Sequence, residues 1–186
     1  MTGSETSDED LMERYRDGDA AAFDALYARH RGPLYRFILR QCRAPAEADE
    51  LFQDVWMNLV RARERYRREA KFTTYLYHVA HNRLIDHYRR KPALIPVSLD
   101  NEDDPVDPPA PASASPERQV ELRRQTSRLL AALEALPQPQ REVFLLREEG
   151  GLTVPEIAEV TGVDLEAAKS RLRYAIAKLR EAVGDD

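Results

Sequence analysis

The chain has 186 residues, a formal net charge of −5 at pH 7 and a charged fraction of 33%. That length allows one or two domains with hydrophobic cores, and no apolar run approaches the roughly 20 residues of a membrane-spanning helix. The acidic start MTGSETSDED excludes a signal peptide, and a single Cys42 cannot form an internal disulfide. We therefore expect a cytoplasmic globular protein without membrane insertion, with Cys42 as a small buried thiol.

Charge is distributed unevenly along the chain. Acidic residues collect in the first 19 positions and again near 100–107, and a basic segment lies between them. Because local charge decides binding to phosphates more than the net sum does, this pattern is compatible with nucleic-acid binding. The basic residues are Arg61, Arg63, Arg65, Arg67, Arg68, Lys71, Arg83, Arg89, Arg90 and Lys91.

Three helices are predicted before the basic loop. Apolar spacing predicts a short helix over about 8–18 and a second over about 20–42, which Pro33 is expected to bend or interrupt. A third helix is predicted over about 47–66. Its apolar stripe consists of Leu51, Phe52, Val55, Trp56, Leu59 and Val60.

The third helix also carries an acidic face beside that stripe, formed by Asp49, Glu50, Gln53 and Asp54. A solvated surface is the default interpretation of such a face. A docking surface for a basic partner helix is the sharper alternative. The residues alone leave both open.

A fourth helix, about 72–90, follows a probable loop at 67–71. Its sequence, KFTTYLYHVAHNRLIDHYRRK, interleaves aromatic and basic residues. Aromatic faces stack on unpaired bases while cations follow the backbone, so the pattern suits single-stranded or opened nucleic acid. The alternative is a plain core stripe with a solvated basic face. Under either interpretation we expect a core formed by Phe72, Leu76, Val79 and Ala80.

Catalytic and metal-binding patterns are not found in the sequence. His78 and His81 lie three residues apart, but no HExxH or Cys–His spacing accompanies them. Asp86 and His87 are adjacent, and adjacent helical side chains point about 100° apart. We therefore predict no metal, no cofactor and no enzymatic activity.

The composition changes between Pro92 and Pro116, where the chain is rich in Pro, Asp, Ala and Ser. Few large apolar residues are present, so the segment cannot bury enough surface to offset its ordering entropy. We predict a flexible linker here, followed by helices over about 117–136 and 140–149 with a break at Pro137–Pro139.

The stretch from Leu152 to Arg180 has the pattern of a helix-turn-helix. Thr153 is expected to cap a short helix, Gly162 to supply the positive φ of the turn, and Asp164 to cap a longer helix. On that longer helix one face is apolar and the opposite face is small and polar, which suits a recognition helix in a DNA groove. A plain helical hairpin with a solvated face is the alternative. The apolar face comprises Ala168, Leu172, Ala175, Ile176 and Leu179.

Taken together, these stretches resemble the extracytoplasmic-function (ECF) group of bacterial sigma-70 factors. ADELFQDVWMNLVRAR is similar to region 2.2, and KFTTYLYHVAHNRLIDHYRRK is similar to regions 2.3 and 2.4. The segment from Leu129 to Arg180 is similar to region 4. Matching residues there are Leu136, Pro137, Arg141, Val143, Phe144, Leu146, Gly151, Glu156, Ile157, Ala158, Gly162, Lys169, Ser170, Arg171, Leu172, Leu179 and Arg180.

The resemblance implies an all-α fold with two small helical domains. A region 2 bundle is expected at 8–91 and a region 4 helix-turn-helix at 117–183, joined by the flexible Pro/Asp-rich linker at 92–116. It further implies a sigma factor that binds core RNA polymerase and promoter DNA, with an anti-sigma factor as the usual regulator.

Site residues follow from the same resemblance. The acidic face of Asp49, Glu50, Gln53 and Asp54 is expected to dock on the clamp helices of the largest polymerase subunit. Melting and reading of the minus-ten element is expected from Lys71, Phe72, Tyr75, Tyr77, Arg83, Arg89, Arg90 and Lys91. Reading of the minus thirty-five element is expected from Glu166, Lys169, Ser170, Arg171 and Arg173.

Two departures from the family pattern bear on promoter choice. Tyr75 stands where the family often has Trp, and the residues 164–168 replace a more usual Pro-Gly-Thr-Val type sequence. The promoter sequences that other family members read are therefore not assigned to this chain. A sigma-like decoy that binds a protein partner instead of promoter DNA is the alternative function, and the intact basic residues of the fourth helix argue against it.

The linker prediction can be tested by limited proteolysis. We expect the first cuts to fall within residues 93–115, because a segment without a core offers its backbone to proteases. Mass spectrometry of the early fragments locates the cuts. Equal protection of this segment and of the helices would contradict a flexible tether.

Overall fold

The computed structural model describes residues 6–42, 44–90 and 116–184, and every regular element within these ranges is helical. The all-α prediction is confirmed. None of the described helices combines the length and the apolar character that crossing a membrane requires. The helices are α1 (Asp8–Arg16), α2 (Ala20–Cys42), α3 (Pro45–Ala62), α4 (Phe72–Arg90), α5 (Pro116–Ala135), α6 (Gln138–Glu148), α7 (Val154–Thr161) and α8 (Leu165–Gly184).

Helix α2 runs without a break through Pro33, so interruption there, one of the two expected effects, does not occur. A proline inside a helix loses a backbone hydrogen bond and costs about 3 kcal/mol. Leu34, Phe37 and Ile38 lie just after it and are fully buried. Burial of a large apolar side chain contributes about 1.5–3 kcal/mol, so the packing of this face outweighs the local cost.

Helices α1 to α4 form the first bundle. The stripe predicted on α3 faces its core, with Leu51, Val55, Trp56 and Leu59 all buried. On α4, the residues that repeat every four positions from Phe72 face the same core. They are Phe72, Leu76, Ala80 and Leu84.

Helices α5 to α8 form the second bundle, in which α8 packs against α5, α6 and α7. Arg141 is buried in it, and its Nη1 donates to the carbonyl oxygens of Glu134 (3.1 Å) and Leu136 (3.3 Å). Those carbonyls lie at the end of α5, where the helix itself supplies no donors. The guanidinium therefore closes the turn between α5 and α6. The predicted linker precedes this bundle and, from 92 to 115, lies outside the described residues.

The two bundles pack directly against each other, α4 on α7 and α2 on α6. Tyr77 of α4 is 1% exposed, with its ring 5.2 Å from that of Phe37 in a T-shaped arrangement. Gly150 lies beside it, so close that a Cβ there would be 3.1 Å from the Tyr77 ring. The burial raises the pKa of the Tyr77 hydroxyl. This interface was not anticipated from the sequence.

Polar contacts surround that ring. His81 Nδ1 lies 2.6 Å from Glu142 Oε1, and the second Glu142 oxygen accepts from Gln138 Nε2 at 3.1 Å. At the rim, Arg36 pairs with Glu149 at 2.9 Å. Lys71 pairs with Glu156 of α7 at 3.0 Å.

Glu142 offers a direct test of this interface. Glu142→Ala leaves His81 without its partner, and the loss of a buried hydrogen bond of this kind costs about 1–3 kcal/mol. We expect the ratio of packed to separated bundles to fall by about 5- to 150-fold, because the His81–Glu142 contact exists only while the bundles are packed. Distances from a donor–acceptor dye pair, one on each bundle, measure the ratio.

Glu148→Ala is the matched control, since Glu148 is exposed on the same helix. It should leave the distance distribution unchanged. A wild-type distribution for Glu142→Ala would show that the His81–Glu142 contact does not hold the bundles together.

Candidate nucleic-acid and polymerase interfaces

The helix-turn-helix prediction is confirmed in its local chemistry. Glu156 Oε2 accepts from both the backbone N–H and the hydroxyl of Thr153 at 2.7 Å, so the start of α7 is closed. Gly162 has φ 67° and ψ 29°, a left-handed conformation that favours glycine. Asp164 Oδ1 accepts from the N–H of Ala167 at 2.7 Å and caps α8. The turn therefore sets the angle at which α8 is presented.

The outer face of α8 is open to solvent and is mainly polar. Lys169 lies 2.8 Å from Glu166. Because this ion pair is exposed, a phosphate can readily replace the Glu166 carboxylate as the partner of Lys169. Arg173 is exposed and lies over the ring of Tyr174, 5.9 Å from its centre. Ser170 and Arg171 are half-buried. All five predicted residues thus lie on α8, and Tyr174, 58% exposed, extends the same surface.

A groove of about 460 Å³ opens between the end of α3 and one side of α4. Ligand pockets commonly have about 300–1,000 Å³, so a nucleotide base fits. Its walls combine one aromatic ring, two amide side chains, three guanidinium groups and a carboxylate. The lining residues are Asn58, Arg61, Ala62, Arg65, Tyr75, Val79, Asn82, Arg83 and Asp86.

The predicted minus-ten residues fall into distinct environments. Tyr75 and Arg83 line the groove. Arg89 and Arg90 are exposed at the end of α4, and Lys71 is exposed beside Glu156. Lys91 lies outside the described residues.

Two predicted base-contacting rings are buried instead. Phe72 is 0% exposed and contacts the His30 ring at 5.2 Å, and Tyr77 is 1% exposed at the interface between the bundles. A ring without exposed area cannot stack on a base. Neither ring can stack on a base in this arrangement, because Phe72 lies in the core of the first bundle and Tyr77 is covered by the second, so their minus-ten role stays a prediction.

The groove contains residues that the sequence analysis did not assign. Asn82 and Asp86 follow Tyr75 at helical spacing on α4, and Asn58 faces them from α3. A helical wheel of α4 places Asn82 and Asp86 on the same face as Tyr75, outside the Phe72–Leu84 stripe, so the sequence contains the signal for these two residues. The contribution of α3 requires knowing how the two helices pack.

Much of the basic loop has partners within the protein. Arg68 Nη1 lies 2.7 Å from Asp10 Oδ1, and Arg63 lies over the Tyr15 ring at 5.4 Å. Arg67 donates to the carbonyl oxygens of Glu64 and Tyr66. The basic charge that remains beside the groove is that of Arg61, Arg65 and Arg83.

The acidic face of α3 is exposed throughout. Asp49, Glu50, Gln53 and Asp54 all point away from the core stripe, and Met57 next to them is 47% exposed. Burial, together with the neighbouring Asp49 carboxylate, raises the pKa of Tyr35. The surface is a carboxylate cluster with an apolar edge, on a helix whose other side is firmly packed.

Comparison with known proteins agrees with this arrangement. The family model described as Sigma-70 region 2 matches residues 26–92, and the family model described as Sigma-70, region 4 matches residues 126–179. The chain is 34% identical to RNA polymerase sigma factor CarQ of Myxococcus xanthus, over 94% of this chain and 96% of CarQ. It is 30% identical to ECF RNA polymerase sigma factor SigK of Mycolicibacterium vanbaalenii, over 94% of this chain and 88% of SigK.

A solved structure has a similar fold. It is that of CnrH in complex with the cytosolic domain of CnrY, with a TM-score of 0.67 at 23% identity, covering 97% of this chain and 99% of that chain. The two regions, their order and the relatives along nearly the whole length give one answer. The chain belongs to the ECF group of the sigma-70 family and is a non-catalytic RNA polymerase sigma factor that directs transcription initiation through regions 2 and 4.

Proposed function

We propose that this sigma factor uses three separate surfaces for polymerase, the minus-ten element and the minus thirty-five element. The acidic face of Asp49, Glu50, Gln53 and Asp54 docks on the clamp helices of the largest subunit of core polymerase. The groove between α3 and α4 takes an unpaired base of the minus-ten element. The outer face of α8 reads the minus thirty-five element.

The groove is the observation that carries the minus-ten assignment. Its amide side chains, Asn58 and Asn82, offer both donors and acceptors to a base edge, and Tyr75 offers a ring for stacking. Guanidinium groups at its rim suit the backbone of a single strand. The residues at the rim are Arg61, Arg65 and Arg83.

Promoter reading requires the two bundles to separate. The two promoter elements lie about 25 base pairs apart, which is about 85 Å at 3.4 Å per base pair. A packed chain of this length has a diameter of only about 40 Å. The structure described here is therefore a closed form, and a promoter complex needs the α4–α7 and α2–α6 contacts broken.

We also propose an anti-sigma factor as the protein that keeps this sigma factor from polymerase. CnrH, whose fold is similar, is in a complex with the cytosolic domain of CnrY, and RpoE of Bartonella quintana is in a complex with the anti-sigma factor NepR. Its site of action is the cytoplasm, because core polymerase and promoter DNA are there.

Transcription in vitro tests the proposed function as a whole. Purified protein with core polymerase should give discrete start sites on genomic fragments, and core polymerase alone should not. Binding to core without any start site would favour the decoy alternative.

Charge reversal tests the polymerase surface. Replacing Asp49, Glu50 and Asp54 by Lys should reduce core binding by at least tenfold, since three attractive contacts become repulsive while the α3 core stripe is untouched. Affinity is measured with labelled core polymerase, and helix content by circular dichroism.

A control variant carries the same change of charge elsewhere. Asp17, Asp24 and Glu148 are exposed away from this face, and their replacement by Lys should leave core binding within about twofold. Equal loss in both variants would point to net charge rather than to the α3 surface.

The minus thirty-five contact predicts two phenotypes on α8. Arg173→Ala should cost about 1–3 kcal/mol and change base preference at one or two positions, as the loss of a base-edge contact does. Lys169→Ala or Arg171→Ala should weaken all sequences about equally and flatten the salt dependence. Selection from a randomised upstream element at two salt concentrations distinguishes them. If Arg173→Ala keeps the base preference of the wild type and Lys169→Ala changes it, the proposed orientation of α8 in the DNA groove is wrong.

A further inference from the structure

The loop that joins α3 to α4 is held in place by α1, the first helix of the chain. This loop, residues 63–71, leads directly into the helix that lines the candidate minus-ten groove. Three contacts join it to α1, from Arg68 to Asp10 and Glu13 and from Arg63 to the Tyr15 ring, and Glu9 of α1 contacts Phe72, the first residue of α4. The region 2 match begins only at residue 26, so α1 lies before it.

The first contact closes the start of α4. Glu9 Oε1 accepts the backbone N–H of Phe72 at 2.8 Å. The first turn of α4 contains no acidic residue, and Lys71 precedes it, so α4 does not supply its own acidic cap. A free helix start leaves N–H groups unpaired and favours a negative charge. Glu9 supplies both the acceptor and the charge from 63 positions away.

The second contact fixes the loop itself. Arg68 Nη1 lies 2.7 Å from Asp10 Oδ1 and 3.7 Å from Glu13. Hydrogen bonds from Ser7 and Arg68 hold the pKa of Asp10 below its usual value, so this carboxylate is ionised at neutral pH. An ion pair therefore holds the loop at Arg68, and Glu9 caps the helix that follows the loop.

These ties connect to the groove through two aromatic rings in contact. Tyr66, in the loop, is buried, and its ring lies 5.5 Å from that of Tyr75 in a T-shaped arrangement. Burial and the nearby Glu9 and Glu13 carboxylates raise the pKa of Tyr66 to about 12. Tyr75 is a wall of the groove. The position of that wall thus depends on where α1 holds the loop.

Helix α1 is itself fixed to the first bundle by polar and apolar contacts. Asp8 Oδ1 accepts from Arg29 Nη1 at 2.8 Å, and Asp8 Oδ2 lies 2.7 Å from His30 Nε2, both on α2. Leu11, Met12 and Tyr15 are buried against the bundle. The carboxylates of Glu9 and Asp10 are therefore presented from a rigid element.

We propose that Glu9 is a positioning residue for promoter opening, which caps α4 and, with the Asp10–Arg68 tie, sets the Tyr66–Tyr75 wall of the groove that receives an unpaired minus-ten base. The proposal rests on the proposed function of that groove. It assigns a role in initiation to α1, which touches neither promoter element in this assignment.

The sign of the effect separates positioning from simple electrostatics. Glu9 and Asp10 are negative charges near a surface that is proposed to bind DNA. If they acted only through charge, their removal would tighten DNA binding, because a repulsion is lost. If they position the loop, their removal weakens capture of the unpaired base. The two accounts predict opposite changes.

The experiment uses holoenzyme assembled from the full chain and core polymerase. A labelled single-stranded oligonucleotide with the non-template minus-ten sequence, taken from a mapped promoter, reports base capture. Glu9→Ala should weaken its binding about fivefold, the equivalent of about 1 kcal/mol for a lost helix cap. Glu9→Gln keeps an oxygen for the Phe72 N–H and should restore most of the binding. Core affinity and binding to a minus thirty-five duplex should be unchanged.

Three further variants complete the set. Asp10→Asn weakens the tie to Arg68 without touching the cap, and should reduce oligonucleotide binding about twofold even if Glu9→Ala fails to fold. Asp24→Ala removes an exposed carboxylate on α2 and is the matched control. Asn82→Ala tests the groove itself and should reduce binding by at least fivefold.

The outcomes are separable. Reduced binding by Asn82→Ala with wild-type binding by Glu9→Ala would overturn the positioning role and leave the groove standing. Wild-type binding by Asn82→Ala would overturn the groove assignment on which the role rests. Tighter binding by Glu9→Ala or Asp10→Asn, or a Glu9→Gln variant as weak as Glu9→Ala, would also overturn the positioning role.

Discussion

The burial of one stripe of α4 is the constraint on which the rest of the structure depends. Phe72, Leu76, Ala80 and Leu84 face the core of the first bundle, and this fixes the direction of every other face of the helix. The face with Tyr77 and His81 meets the second bundle. The face with Tyr75, Asn82 and Arg83 turns to α3 and forms the groove. One helix therefore serves the core, the closed form and the candidate base pocket at once, and a rotation of α4 would disturb all three.

Features formed by residues close together in the sequence could be predicted, and features formed by residues far apart could not. The helix-turn-helix was predictable in detail because Thr153, Gly162 and Asp164 act on residues three or four positions away. The Phe72 stripe was predictable for the same reason, through helical spacing. The interface between the bundles was not, because His81 and Glu142 meet across 61 positions and both are charged or polar types that composition places at the surface. The position of Tyr77 at this interface could not be predicted either, since nothing local distinguishes a ring at an interface from a ring on a free face.

The closed form is built so that it can open. Its polar contacts include an imidazole–carboxylate pair, Arg36 and Arg40 around Glu149, and Lys71 with Glu156. Interfaces between domains of one chain commonly resemble transient protein–protein contacts. These polar groups are solvated again when the bundles part, which offsets part of the cost of separation. Apolar surface is uncovered as well, including the Tyr77 ring next to Gly150. A partner that covers that ring, or that binds each bundle more tightly apart than together, favours the open form.

Chain length then decides how far the opening can go. Residues 91–115 connect α4 to α5, and about 25 residues at about 3.3 Å each reach about 80 Å when fully extended. The promoter elements are about 85 Å apart, so the two bundles, each with its own width, can reach them together without a fully stretched connection. The same stretch of chain is therefore compatible with a closed pair held by polar contacts and with an open pair spread along a promoter. The free energy that selects between them resides in the α4–α7 and α2–α6 interfaces and in what polymerase and DNA bind in their place.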